Sequence, residues 1–113
     1  MPFVTIDNAY SKDLDQAVFV EREGDGFVVA YAIADASFYV RPGSALHAEA
    51  LARGASYYLP GLSTPMLPRD LSEGLVSIVA GVPRRALVFD LHFDRHGTVT
   101  GFVLEREIGR AHV

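Results

Sequence analysis

The segment Phe27–Ala34 is apolar at nearly every position and constrains this chain more than any other feature. Such a run, bounded by turn residues, reads as a strand buried on both faces. Gln16–Glu21 just before it is also rich in Val, Phe and Ala. Between the two lies Glu23-Gly24-Asp25-Gly26, where two glycines can supply the positive φ of a hairpin turn. A second hairpin is predicted where Arg85–Phe93 and Thr98–Leu104 flank Asp94-Arg95-His96-Gly97. Two hairpins call for a mainly antiparallel sheet.

The stretch between them is of another kind. Pro42-Gly43-Ser44 breaks the strand pattern, and Ser44 suits the N-cap of a helix over Ala45–Arg53. Leu46, Ala50 and Leu51 then share a face, and Gly54 ends the helix. Tyr57–Leu59 reads as a short extended piece, and Pro60–Pro68, with its prolines, as a loop of largely fixed course. A short helix is expected over Arg69–Glu73, and Phe3–Ile6 reads as a short strand that delivers Asp7. The expected class is α+β, a mainly antiparallel mixed sheet with one or two short helices.

The 113 residues suit one small domain, and with 50% hydrophobic residues they can bury a core. No stretch approaches the roughly 20 apolar residues of a membrane span, and Met1–Ile6 has no signal-peptide character. The lack of cysteine excludes disulfides and thiolate metal sites and fits a cytoplasmic protein. A net charge of −4 argues mildly against a free-standing nucleic-acid binder, which would carry a basic face. It suits a carboxylate metal site, where a bound Mg²⁺ reverses the local sign.

Asp7, Asp13 and Asp15 stand close together between two apolar stretches. Gathered carboxylates repel one another, and a hard cation is the usual compensation. Mg²⁺ takes oxygen ligands and keeps waters that a substrate phosphate can displace. Two such ions roughly 4 Å apart can activate a water and stabilise a leaving oxygen. Spacing alone, however, favours solvated turn residues, because Asp and Asn are common in loops for local hydrogen-bonding reasons. An EF-hand is excluded: Asp13-Leu14-Asp15 lacks the later ligand, glycine and distal glutamate.

Other polar residues carry less. Asp35 ends a strand and is expected to serve a turn. Arg69, Arg84 and Arg85 are expected to be solvated rather than bound to phosphate. His47, His92, His96 and His112 show no metal-ligand spacing, and Ser11 and Ser37 lack a nearby His–Asp arrangement.

The blocks Thr5-Ile6-Asp7, Asp13-Leu14-Asp15-Gln16-Ala17, Ala32-Ile33-Ala34-Asp35, Tyr58-Leu59-Pro60, Pro65-Met66-Leu67-Pro68 and Leu71-Ser72 run in one order along the chain. In that order and spacing they resemble the RNB catalytic domain of the ribonuclease II and ribonuclease R family. The resemblance implies a partial RNB domain and a metal-dependent hydrolytic exoribonuclease. Such an enzyme works from the 3′ end of single-stranded RNA and releases 5′-mononucleotides. It assigns Asp7, Asp13 and Asp15 as Mg²⁺ ligands, with Asp15 the most critical to cleavage, and puts Gln16 where the family has a fourth aspartate. A neutral amide offers a metal one carbonyl oxygen and no charge. The resemblance therefore leaves a second reading, a non-catalytic RNA-binding relative with a degraded metal site at Gln16. It further assigns Tyr58 to stacking on a base near the RNA 3′ end, while Tyr57, which would point the other way along an extended segment, is left structural. Flanking OB-fold RNA-binding domains are expected in the full-length protein.

Ile108-Gly109-Arg110-Ala111-His112-Val113 is also what a common short-read sequencing adapter encodes in one frame, before a stop codon. The expected division is residues 1–107 as the N-terminal part of an RNB domain and 108–113 as a non-native tail. Family members carry a basic, alanine-containing stretch near this point, so a genuine tail stays open. Sequencing the source DNA beyond the codon for Glu107 is expected to show adapter; matching genomic sequence would end the idea.

Overall fold

The computed structural model describes residues 3–8, 10–109 and 111–112, the last two by backbone alone. Its strands are β1 (Phe3–Val4), β2 (Gln16–Glu23), β3 (Gly26–Ala34), β4 (Tyr57–Leu59), β5 (Leu62–Thr64), β6 (Arg84–Phe93), β7 (Val99–Gly109) and β8 (Ala111–His112). Helix α1 spans Ala45–Arg53, a 3₁₀ turn follows β3 at Ala36–Phe38, and a π-helical turn covers Leu71–Leu75. The six-stranded sheet has the order β7-β6-β3-β2-β1-β8. Every pairing in it is antiparallel except that of β1 with β8. The α+β expectation with a mainly antiparallel mixed sheet holds.

Both predicted hairpins form. In the first, Glu23 pairs with Gly26 across a two-residue turn, and Gly24 takes φ 56°. The second glycine does a different job from the one expected. Gly26 already lies in β3, where a Cβ would sit 1.9 Å from the Phe93 carbonyl oxygen of β6. In the second hairpin Asp94 shapes the turn: its Oδ1 accepts from the amides of His96 at 2.8 Å and Thr98 at 2.9 Å. Helix α1 has the predicted ends. Ser44 Oγ accepts from the His47 amide at 3.1 Å, and Gly54 closes the helix at φ 72°. Ala50 is buried as expected, but Leu51 is 69% exposed and does not share the inward face.

Three segments differ from expectation. β1 stops at Val4, because its pairing with β2 ends at Val18 and the chain then leaves the sheet. Within Pro60–Pro68 the chain is a strand as well as a loop: Leu62–Thr64 pairs back on Tyr57–Leu59 around Pro60 and Gly61. The turn suits them, since proline presets a negative φ and Gly61 takes φ 72°. The short helix after Pro68 widens into a π turn, with the Val76 amide bonded to the Leu71 carbonyl at 2.9 Å. Gly74 near its end is a weak α-former, and the wider turn aims Val76–Ile78 inward.

The core lies on one face of the sheet. Phe3, Ala17, Ala30, Ala32, Ala34, Ala86 and Val88 are buried there together with Val76 and Ile78. The opposite face is not covered within the described residues. On it Val4, Val20, Phe27, Phe102, Leu104 and Ile108 all stand exposed, so β3 is buried on one face and only partly on the other, not on both as its composition suggested. The radius of gyration is 16.0 Å, against about 13 Å for a closely packed domain of this length.

Of the arginines expected to be solvated, Arg69 is exposed as expected and Arg84 and Arg85 are half-buried, and all three also make structural contacts. Arg84 Nε donates to the carbonyls of Gly74 at 3.2 Å and Ser77 at 3.1 Å, which ties the π turn to β6. Arg85 lies over the Phe38 ring at 3.7 Å, and Arg69 joins Glu73 at 3.0 Å and the Ser63 carbonyl at 3.1 Å. Asp35, buried at the end of β3, accepts from Ser37 Oγ at 2.5 Å and faces Arg106 Nε at 3.5 Å, a structural role as expected. Of residues 108–113, Ile108 and Gly109 finish β7 and Ala111–His112 forms β8, while Arg110 and Val113 lie outside the described residues. Gly26→Ala should force β3 and β6 apart and cost about 1–3 kcal/mol, read as a lower urea midpoint with an unchanged slope.

Candidate metal centre

The acidic residues sit where β1, β2 and β3 diverge. Asp7 follows β1 in an irregular loop. Asn8 shapes that loop by accepting at Oδ1 from the Tyr10 amide and from Ser11 Oγ, both at 3.0 Å. Asp13 and Asp15 precede β2, and the Asp15 carbonyl accepts from the Ala34 amide at 2.8 Å, which fixes the entry to that strand against β3. Between the two acids, the Leu14 amide donates to Ser77 Oγ at 3.0 Å and the Leu14 carbonyl accepts from the Ile78 amide at 2.6 Å.

Two hollows meet at Asp15. Asp7, Asp15 and Gln16 line the first with Val4, Ile6, Ala17, Val18 and Tyr31, around about 280 Å³. Asp13, Asp15 and Tyr58 line the second, together with Ser56 and Met66. Among the described residues no three acidic or histidine side chains converge closely enough to hold one ion. The predicted ligands are therefore shared between two adjoining hollows rather than gathered in one nest.

Gln16 is not free. Tyr31 Oη donates to Gln16 Oε1, which leaves that oxygen one lone pair for a further partner. Tyr58 has an unforeseen partner as well: its hydroxyl donates to Asp13 Oδ2 at 2.6 Å. The hairpin of β4 and β5 carries it there, over a separation of 45 residues. The hydrogen bond occupies only the hydroxyl; Tyr58 is 69% exposed, and its ring stays open to solvent. Tyr57 turns to the other side, its hydroxyl 3.5 Å from the Arg53 carbonyl at the end of α1. The bond to Asp13 is the main cause of a Tyr58 pKa above the usual 10.0, aided by partial burial and the Asp13 charge. No local pattern announced this contact, nor that of Ser77, because both join segments far apart in the chain.

The donors fit Mg²⁺: each hollow offers two carboxylates, Gln16 adds a carboxamide oxygen, and neither is lined by a thiolate or an imidazole. Mg²⁺ commonly binds one or two carboxylates and completes its shell with water and substrate phosphate.

The family model described as the RNB domain matches residues 1–113. This chain belongs to the RNB family. A ribonuclease R of Acidithiobacillus ferrooxidans is 45% identical to the RNB chain over 108 residues, 96% of this chain and 25% of that protein. Among solved structures, Mycoplasma genitalium RNase R in complex with double-stranded RNA superposes with a TM-score of 0.93 at 36% identity. That match covers 99% of the RNB chain and 20% of the other. Yeast Ssd1, a pseudonuclease, shares the fold with a TM-score of 0.82 at 15% identity, over 98% of this chain and 14% of its own. The RNB chain thus spans a quarter or less of the proteins it matches.

A phenol whose folded pKa exceeds its unfolded value of 10.0 stabilises the fold fully below about pH 10, and less as pH climbs through the raised value. Tyr58→Phe removes the hydrogen bond at any pH. Thermal melts should show wild type above Tyr58→Phe at pH 8, with the gap closing at strongly alkaline pH; a gap that does not respond to pH would contradict the Asp13 bond.

Proposed function

We propose that this chain carries the metal-binding opening of a hydrolytic 3′→5′ exoribonuclease that acts on single-stranded RNA and releases 5′-mononucleotides. The observation that carries the reading is the meeting of two acid-lined hollows at Asp15, with Tyr58 at the rim of one. Family membership and the ribonuclease names of the relatives support it. In this reading Asp7, Asp15 and Gln16 would hold one Mg²⁺, and Asp13 and Asp15 would hold a second. Bound Mg²⁺ would neutralise the phosphodiester charge and acidify an attacking water.

The chain's own residues do the placing. Asp15 faces both hollows, so removing its charge weakens both ion positions at once. The hydroxyl of Tyr58 restrains Asp13, and the exposed ring offers a base a stacking surface, worth about 1–3 kcal/mol. One side chain then links the placing of a ligand to the placing of the RNA end. The basic and aromatic surface that grips the rest of the RNA is assigned to further segments of a longer chain, including OB-fold domains, and the enzyme to the cytoplasm. Among the described residues no helix is long and apolar enough to cross a membrane.

Gln16 favours a second reading. It stands where the resemblance places an aspartate, and Tyr31 already uses part of its oxygen's capacity. That fits a non-catalytic RNA-binding relative with a weakened ion site.

Calorimetric titration should show Mn²⁺ or Mg²⁺ uptake by the wild-type chain and a loss of at least about tenfold in Asp15→Asn; an acidic loop without a metal role would show no difference. The 113-residue chain itself should release few or no mononucleotides from single-stranded RNA, and robust Mg²⁺-dependent release would overturn that expectation. In a chain extended by the remaining RNB segments, activity that emerges only with Gln16→Asp would favour the second reading. Activity present beforehand and little changed by the exchange would make Gln16 a tolerated ligand.

A further inference from the structure

Ser77 is 1% exposed and lies beneath the acidic loop. Its hydroxyl accepts from the Leu14 amide at 3.0 Å and donates to the Lys12 carbonyl at 2.5 Å. These two backbone groups flank Asp13. The next residue continues the attachment, with the Ile78 amide donating to the Leu14 carbonyl at 2.6 Å. The task needs a donor and an acceptor on one small atom, which a hydroxyl supplies and a methyl or a lone amide does not.

The surroundings of Ser77 are rigid. Val76 and Ile78 on either side are core residues, and Arg84 Nε binds the Ser77 carbonyl at 3.1 Å. Among the described residues the loop is otherwise weakly held: besides Lys12, Leu14 and the Asp15 carbonyl, its bonds are those of Asn8 and of the Tyr58 hydroxyl. A serine serving only its own satisfaction could use any nearby partners. Both partners here belong to the backbone that presents the acid.

We propose that Ser77 is a positioning residue, which sets where Asp13 stands relative to Asp15 and so tunes metal affinity from outside the ligand set. The inference rests on the metal reading given above. It assigns Ser77 no contact with metal or RNA; the residue acts through the backbone on both sides of Asp13.

The test is Mn²⁺ titration of the 113-residue chain by calorimetry, with amide hydrogen exchange at Leu14 followed in parallel. Ser77→Ala should weaken Mn²⁺ binding about 10–100-fold, the range for lost outer-shell support, and Leu14 should lose protection. Ser77→Cys keeps the shape but bonds weakly, so it carries the same expectation if the alanine variant does not fold. Val88→Ala, a core truncation on the sheet, is the control, and at a temperature where every variant is folded it should bind Mn²⁺ as wild type does. The inference fails if the Ser77 variants bind as wild type, or if Val88→Ala loses as much affinity as they do. A wild-type chain that takes up no Mn²⁺ sinks the metal reading and this inference with it, an outcome distinct from unimpaired binding in the variants.

Discussion

How closely the Val76–Ile78 segment can approach the sheet decides the rest of this molecule. Ala30, Ala32 and Ala34 of β3, with Ala17 and Ala86 beside them, make that face shallow. Small side chains let backbone and Ser77 sit near the sheet plane, within reach of the loop that leads into β2. Larger residues there would bury more apolar area but lift the segment and break its bonds to Lys12 and Leu14. The π turn and Arg84 serve the same end, since one aims the segment inward and the other ties it to β6.

Asp13 and Asp15 are consequently placed by long-range contacts while the loop itself stays irregular. Asp15 takes its position from β3 through the Ala34 amide, and Asp13 from Ser77 below and Tyr58 beside it. Irregular backbone frees neighbouring acids from the strict alternation of a regular strand, which would send successive side chains to opposite faces. The cost is that the geometry depends on residues far away in sequence.

That dependence explains what could be read from the sequence. Both hairpins, helix α1 with Ser44 and Gly54 at its ends, and the mixed antiparallel class were legible because each rests on local turn chemistry or periodicity. Leu51 was misplaced because an apolar stripe does not say how wide a face is covered. Leu62–Thr64 was hidden by the prolines on either side of it, which were read as a loop of fixed course when Pro60 in fact opens a hairpin turn. The roles of Ser77, Arg84 and the Tyr58 hydroxyl were illegible, since each is defined by partners that only the fold supplies. The acidic cluster was visible as a cluster, but its division between two hollows was not.

The uncovered side of the sheet has one more implication. By strand register, Gln16, Val18 and Tyr31 of the first hollow share that side with Phe102 and Leu104. A polypeptide that covered the whole of that face, from β7 across to β2, would also lie beside the first hollow. Such a cover would join two effects, since the packing that shelters the apolar face would also lower the dielectric around the carboxylates of the hollow and strengthen every charge interaction there.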